Sequence, residues 1–151
     1  LADPSNSDVV MILNEQMKDR DFWMPFTPSI LDRRARDYVK NPKDISAPYM
    51  IMTFDTTELG KKELKAAIHP YDFTCRPQVL EKSWNVKYYS VIEAFEKLTG
   101  IGAVLNTSFN LHGLPVVLGP KEAMYVFENS GLEFLAMENF LVRKSVTTHA
   151  K

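Results

Sequence analysis

Asn106, Thr107, Ser108 and Asn110 crowd four small hydrogen-bonding side chains around Phe109, directly after the apolar run Gly102–Leu105. Carboxamides and hydroxyls supply donors and acceptors without bulk, so a phosphate or small polar group can approach the backbone between them. The carboxyl end of a strand is also where open α/β sheets bind ligands. The block fits equally a loop whose Asn and Ser side chains satisfy their own backbone. Cations stand elsewhere in the chain. Lys18 and Arg20 end a helical pattern just before the turn of Pro25 and Pro28, where they either complement the helix dipole or meet an anion. Arg76 is the one charge on the segment Phe73–Leu80 and needs a carboxylate or a bound anion as partner. Arg33, Arg34 and Arg36 read as a solvated helix face.

Other chemistries are excluded by pattern. The chain has neither a Walker A sequence nor GxGxxG, and Ser108 lacks the GxSxG context of a nucleophile elbow. His69, His112 and His149 show no metal-ligand spacing, so no protein-held metal is expected. A single cysteine, Cys75, excludes an internal disulfide and fits a reducing cytoplasm. With a formal net charge of −1, no bulk attraction to nucleic acid or an anionic membrane is expected, and any anion site must be local. No run of 18 apolar residues marks a membrane span. The length of 151 residues suits one domain over 1–151, and the start at Leu1 without Met reads as a piece of something longer.

The elements that must position these residues follow from periodicity. Ser7 is placed to cap a helix from Asp8 to about Lys18, with Val9, Ile12, Leu13 and Met17 on one face. A second helix is expected from about Ser29 to Val39. Residues 48–54 look strand-like, Thr57 caps a short helix through about Ala66, and the segment 69–80 reads as a strand carrying Arg76. The pattern from Lys87 to Thr99 is strongly helical and stops at Gly100. Strands are expected at 101–106 and 114–118, a helix from Pro120 to about Glu128, and two late strands split by a turn at Glu138-Asn139. Alternating helices and strands give an α/β class with a mixed sheet.

Several ordered stretches resemble one family. They are Thr99-Gly100 followed by "IGAVLNTSFN", then Gly113, Pro115-Val116-Val117, Pro120, Glu122 and Ala123, then Ser130-Gly131-Leu132 and a strand ending in Lys144. Arg76-Pro77-Gln78, "ISAPYM" around Ser46, and "LADPS" with Lys18, Arg20, Pro25, Phe26, Pro28 and Ser29 complete the set. Together they resemble the C-terminal domain of the carbamoyltransferases, which include O-carbamoyltransferases of nodulation factors and antibiotics. Asp21 stands where that family usually has Glu, and Met24 where it commonly has Arg.

The resemblance implies a YrdC-like fold, an open twisted mixed sheet flanked by helices, with an actin-like ATPase-fold partner domain N-terminal to it in the same polypeptide. It implies carbamoyl phosphate and ATP as ligands, with Mg²⁺ carried on the nucleotide, and formation of a carbamoyl-adenylate for O-carbamoyl transfer. Lys18, Arg20, Arg76 and Ser108 would be the catalytic set, and Asn106, Thr107, Asn110 and Ser46 would bind substrate or nucleotide. The alternative is a non-catalytic nucleotide-sensing or docking module of a larger protein.

Overall fold

The computed structural model describes residues 1–18 and 24–144, which fall into two compact units. The first takes in residues 1–12 and 24–107, the second 13–18 and 108–144. The architecture is α/β with small mixed and antiparallel sheets, as the alternation of periods implied.

In the first unit, α1 (Asp8–Leu13, all but its last residue) precedes β1 (Thr27–Leu31), a 3₁₀ turn at Asp32–Arg34 and α2 (Ala35–Tyr38). Then come β2 (Phe54–Asp55), α3 (Glu58–Glu63), β3 (Thr74–Cys75), β4 (Gln78–Leu80), α4 (Val86–Thr99) and β5 (Ala103–Asn106). β1 is the central strand of a three-stranded sheet, parallel to β4 and antiparallel to β5. All five of its residues are buried, because both faces are covered. One face, with Ile30, Val79 and Ala103, packs on Tyr38, Leu64 and Ile68. The other, with Leu31, Leu80 and Val104, packs on Tyr89 and Ile92 of α4. The sheet's outer edges each meet one more backbone segment: Ala2 bridges to Leu105, and the Val79 N–H donates to the Ala47 carbonyl at 2.8 Å.

The helix expected from Ser29 is corrected by this sheet. A Thr-Pro-Ser-Ile-Leu run that can bury both faces is worth more as a strand than as an amphipathic turn, so helix begins only after Leu31. The strand expected over 48–54 shrinks to β2, since Met50 takes φ 56° and breaks the extended run. Pro77 divides the strand expected over 69–80, leaving Arg76 in the link between β3 and β4 rather than on a strand. Thr57 caps α3 as expected, its Oγ1 accepting from Gly60 N at 3.0 Å. α4 stops at Gly100, whose φ of 81° suits glycine.

The Tyr38 hydroxyl ties α2, α3 and the approach to β5. It accepts from Gly102 N and from Arg34, both at 3.0 Å, and donates to Glu63 Oε2 at 2.9 Å. Burial pushes its pKa up to about 12, so it stays a donor at any ordinary pH. Arg33 and Arg34 are not simply solvated: both pair with Glu96 of α4.

In the second unit, a π-helical turn, Asn14–Lys18, precedes α5 (Pro120–Glu128) and a hairpin of β6 (Phe134–Met137) and β7 (Phe140–Arg143). Glu138 turns the hairpin at φ 48°. Ala123, Phe127 and Leu135 form its core, with Phe109 packed against them. The strand expected at 114–118 is an extended loop instead. It pairs with no strand and lies along α5, where Leu114, Val116, Leu118 and Tyr125 line an apolar cavity of about 660 Å³. Among the described residues no helix is long and apolar enough to cross a membrane.

Candidate functional site

In the second unit the π turn delivers Lys18 to the polar block. The Lys18 ammonium shares its three N–H groups among four oxygens: Ser108 Oγ at 3.0 Å, Asn110 Oδ1 at 2.6 Å, and the main-chain oxygens of Ser108 and Asn110 at 2.6 and 3.2 Å. Lys18 is only 4% exposed, so its ammonium is largely shielded from water, while Ser108 is itself exposed. The Ser108 hydroxyl donates to Asn110 Oδ1 at 2.6 Å. The Asn110 amide nitrogen closes the loop by donating to the carbonyls of Leu111 and Leu114. Each of these side chains is therefore held in one rotamer and one polarity.

His112, set aside above as a scattered histidine, fixes the π turn. Its backbone N–H donates to the Met17 carbonyl at 3.0 Å, and its Nδ1 lies 2.7 Å from the Lys18 carbonyl. A carbonyl only accepts, so Nδ1 carries the proton. Its location gave no signal, because nothing in the spacing from 18 to 112 announces the contact.

In the first unit, Arg76 is exposed and lines a cavity of about 220 Å³ with Thr27, Thr53, His69 and Cys75. It makes no ion pair among the described residues. Asn106 ends β5 directly across the ladder from Thr27. Its Nδ2 donates to Ser29 Oγ at 3.1 Å, and Ser29 donates in turn to Gln78 Oε1 at 2.9 Å. Thr107 Oγ1 is buried without a partner, while the buried Tyr88 hydroxyl lies against Ser29. Ser46 lines a different cavity of the same unit, about 240 Å³, with Asp32, Arg36, Asp44, Glu81 and Trp84. Three carboxylates there make a poor setting for an anion. Arg20, like Asp21, lies outside the described residues. Met24 is exposed. Among the described residues no group of three or more His, Cys, Asp or Glu is placed to hold a metal ion.

Ser29, Gln78 and Thr27 were not identified as site residues from sequence. The signal for Ser29 was masked by the expected helix; in a strand, its period-two alternation with Thr27 puts both on one face.

A family model described as Carbamoyltransferase C-terminus matches residues 1–144. The chain belongs to that family. As a carbamoyltransferase C-terminal domain it is 39% identical, over 87% of its length, to an uncharacterised protein of Methanocaldococcus jannaschii. It is 34% identical over 95% to Nodulation protein NolO of Bradyrhizobium diazoefficiens, and 32% over 95% to Nodulation protein NolNO of Sinorhizobium fredii. It covers 25%, 26% and 21% of those proteins respectively, so the chain spans about a quarter of the length of these relatives.

Proposed function

We propose that this domain binds carbamoyl phosphate and ATP and activates the carbamoyl group as carbamoyl-adenylate, within a larger O-carbamoyltransferase that completes transfer to a hydroxyl. The observation that carries the reading is the Lys18–Ser108–Asn110 knot. A nearly buried ammonium fixed at the polar block supplies localised positive charge there, and it falls on the residues by which the chain resembles its family.

In the chemistry proposed, water cleaves carbamoyl phosphate to carbamate and phosphate. A carbamate oxygen then attacks the α-phosphorus of ATP, and the bond to the β-phosphate oxygen breaks to release pyrophosphate. Two anions must meet, so fixed positive charge is needed at the encounter. Arg76, whose guanidinium is exposed, is able to take a phosphate bidentately, and Lys18 is a further cation of the proposed set. Arg20 belongs to the same proposed set. Ser108, Thr107, Asn106 and Asn110 hold the carbamoyl group and α-phosphate. Mg²⁺ would travel on the triphosphate rather than in a protein cage. Its ligands would be phosphate oxygens and water.

Carbamoyl-phosphate-dependent release of pyrophosphate by the full-length parent protein tests the reading, with calorimetric titration of ATP-Mg²⁺ and of carbamoyl phosphate on this chain. Pyrophosphate released equally well without carbamoyl phosphate would overturn it.

A further inference from the structure

We propose that Ser29 and Gln78 are positioning residues that hold the Asn106 carboxamide with its oxygen outward, as the acceptor for the amino group of a carbamoyl ligand. This rests on the carbamoyl reading above and assigns the group that recognises the amide.

The argument is one of hydrogen-bond polarity along a chain of four residues. It starts at the Pro48 carbonyl, which can only accept. The Gln78 amide end lying 3.3 Å from it must therefore be Nε2, and the opposite end must be Oε1. Oε1 then receives the Ser29 hydroxyl proton at 2.9 Å. Ser29 has only that one proton to give. Toward Asn106, 3.1 Å away, its oxygen can do nothing but accept, so Asn106 must present Nδ2. Ser29 is 0% exposed, which leaves no water to substitute for either partner. The Asn106 Oδ1 is thereby turned away from the relay, and it makes no hydrogen bond among the described residues.

Two further observations point to a ligand here. The hydroxyl of Thr107, next in the chain, is buried without a partner, a costly condition that a polar ligand relieves. Thr27, directly opposite Asn106 in the ladder, lines the cavity that holds Arg76. An anion at Arg76 and an amide at Asn106 thus flank a single residue of β1. Carbamoyl phosphate has that composition, with a phosphate at one end and an N–H donor at the other. An acceptor oxygen distinguishes –CONH₂ from –COCH₃, which is nearly the same size but donates nothing.

Titration of the 151-residue chain with carbamoyl phosphate and with acetyl phosphate tests the assignment. The expected result is about tenfold tighter binding of carbamoyl phosphate, the scale of one neutral hydrogen bond. Gln78→Met removes the acceptor for the Ser29 proton. Ser29 then donates to Asn106, the carboxamide turns over, and the preference disappears or reverses, whereas loss of packing alone would weaken both ligands alike. Ser29→Ala is the second variant and should also abolish the preference. Equal binding of the two ligands by the unaltered chain overturns this inference and leaves the carbamoyl reading standing. A preference that persists in a folded Gln78→Met protein overturns the positioning role. Binding of neither ligand removes both readings together.

Discussion

The Lys18 ammonium lies 3.0 Å from Ser108 Oγ, although the two residues are 90 positions apart in the chain. The contact is one of four that the ammonium makes with the polar block. Ser108→Ala removes one of these acceptors and the donor to Asn110, with little change in volume. The expected cost in stability is about 1 kcal/mol, because Lys18 keeps three oxygens. Adenylate formation by the full-length parent should fall about tenfold to a hundredfold, which a pyrophosphate-release assay measures directly. Unchanged rates would reduce the knot to a loop staple.

Arg76 makes the opposite kind of prediction. It is exposed and has no ion pair among the described residues, so Arg76→Ala should leave the melting temperature nearly unchanged. Carbamoyl phosphate binding should weaken by roughly 1.5–3 kcal/mol, the range for a hydrogen bond to a charged group. Calorimetry and a thermal melt on the same sample separate the two effects. A large fall in melting temperature with intact binding would make Arg76 structural.

How much of this was legible in the sequence varies by residue. α4 and α5 were readable because the apolar period of α4 agrees with the stop at Gly100, and Pro120 marks the start of α5, whereas the Asn85 cap of α4 was not read. The hairpin turn at Glu138 was readable for the same reason. β1 was not, since its burial on two faces depends on β4 and β5, which arrive about fifty and seventy-five residues later. The polar block stood out by composition, but what holds it did not. Lys18 was a candidate through family resemblance, and its bonds to Ser108 and Asn110 needed the fold. The Pro48–Gln78–Ser29–Asn106 relay joins four separate segments and has no local signature at all.

Glu96 gives the fold an acid-sensitive fastening. Hydrogen bonds from Arg33, and then from Arg34, hold its carboxyl below the ordinary glutamate range. A lowered folded pKa contributes stability above the unfolded value, and that contribution is lost as pH falls through the folded one. Glu96→Gln should therefore cost roughly 1–2 kcal/mol at pH 7, limited by the exposure of Arg33, and much less at pH 3. Denaturant unfolding at the two pH values checks the sign: the gap between wild type and variant must narrow in acid.

Cys75 should be chemically silent while the fold is intact. Burial pushes its thiol up to about 12, so almost no thiolate exists at pH 8. Reaction with a disulfide reagent at that pH should be at least about a hundredfold slower in native buffer than in denaturant. Rapid native labelling would mean that the segment around β3 opens readily.

The contacts at the two sides of the central sheet bear on how copies of this chain meet one another. A three-stranded sheet presents two rows of unpaired amides and carbonyls, the features that template strand addition from a neighbour. Here Ala2 occupies Leu105 on one side, and Ala47 takes the Val79 amide on the other. Ala2 exchanges two backbone hydrogen bonds with Leu105 and Ala47 accepts one from Val79, yet each contact sits within a strand of only three or four residues, leaving too short an open stretch on either side for a second chain to register. Strand addition at this sheet is thus opposed by two residues that contribute almost no side chain.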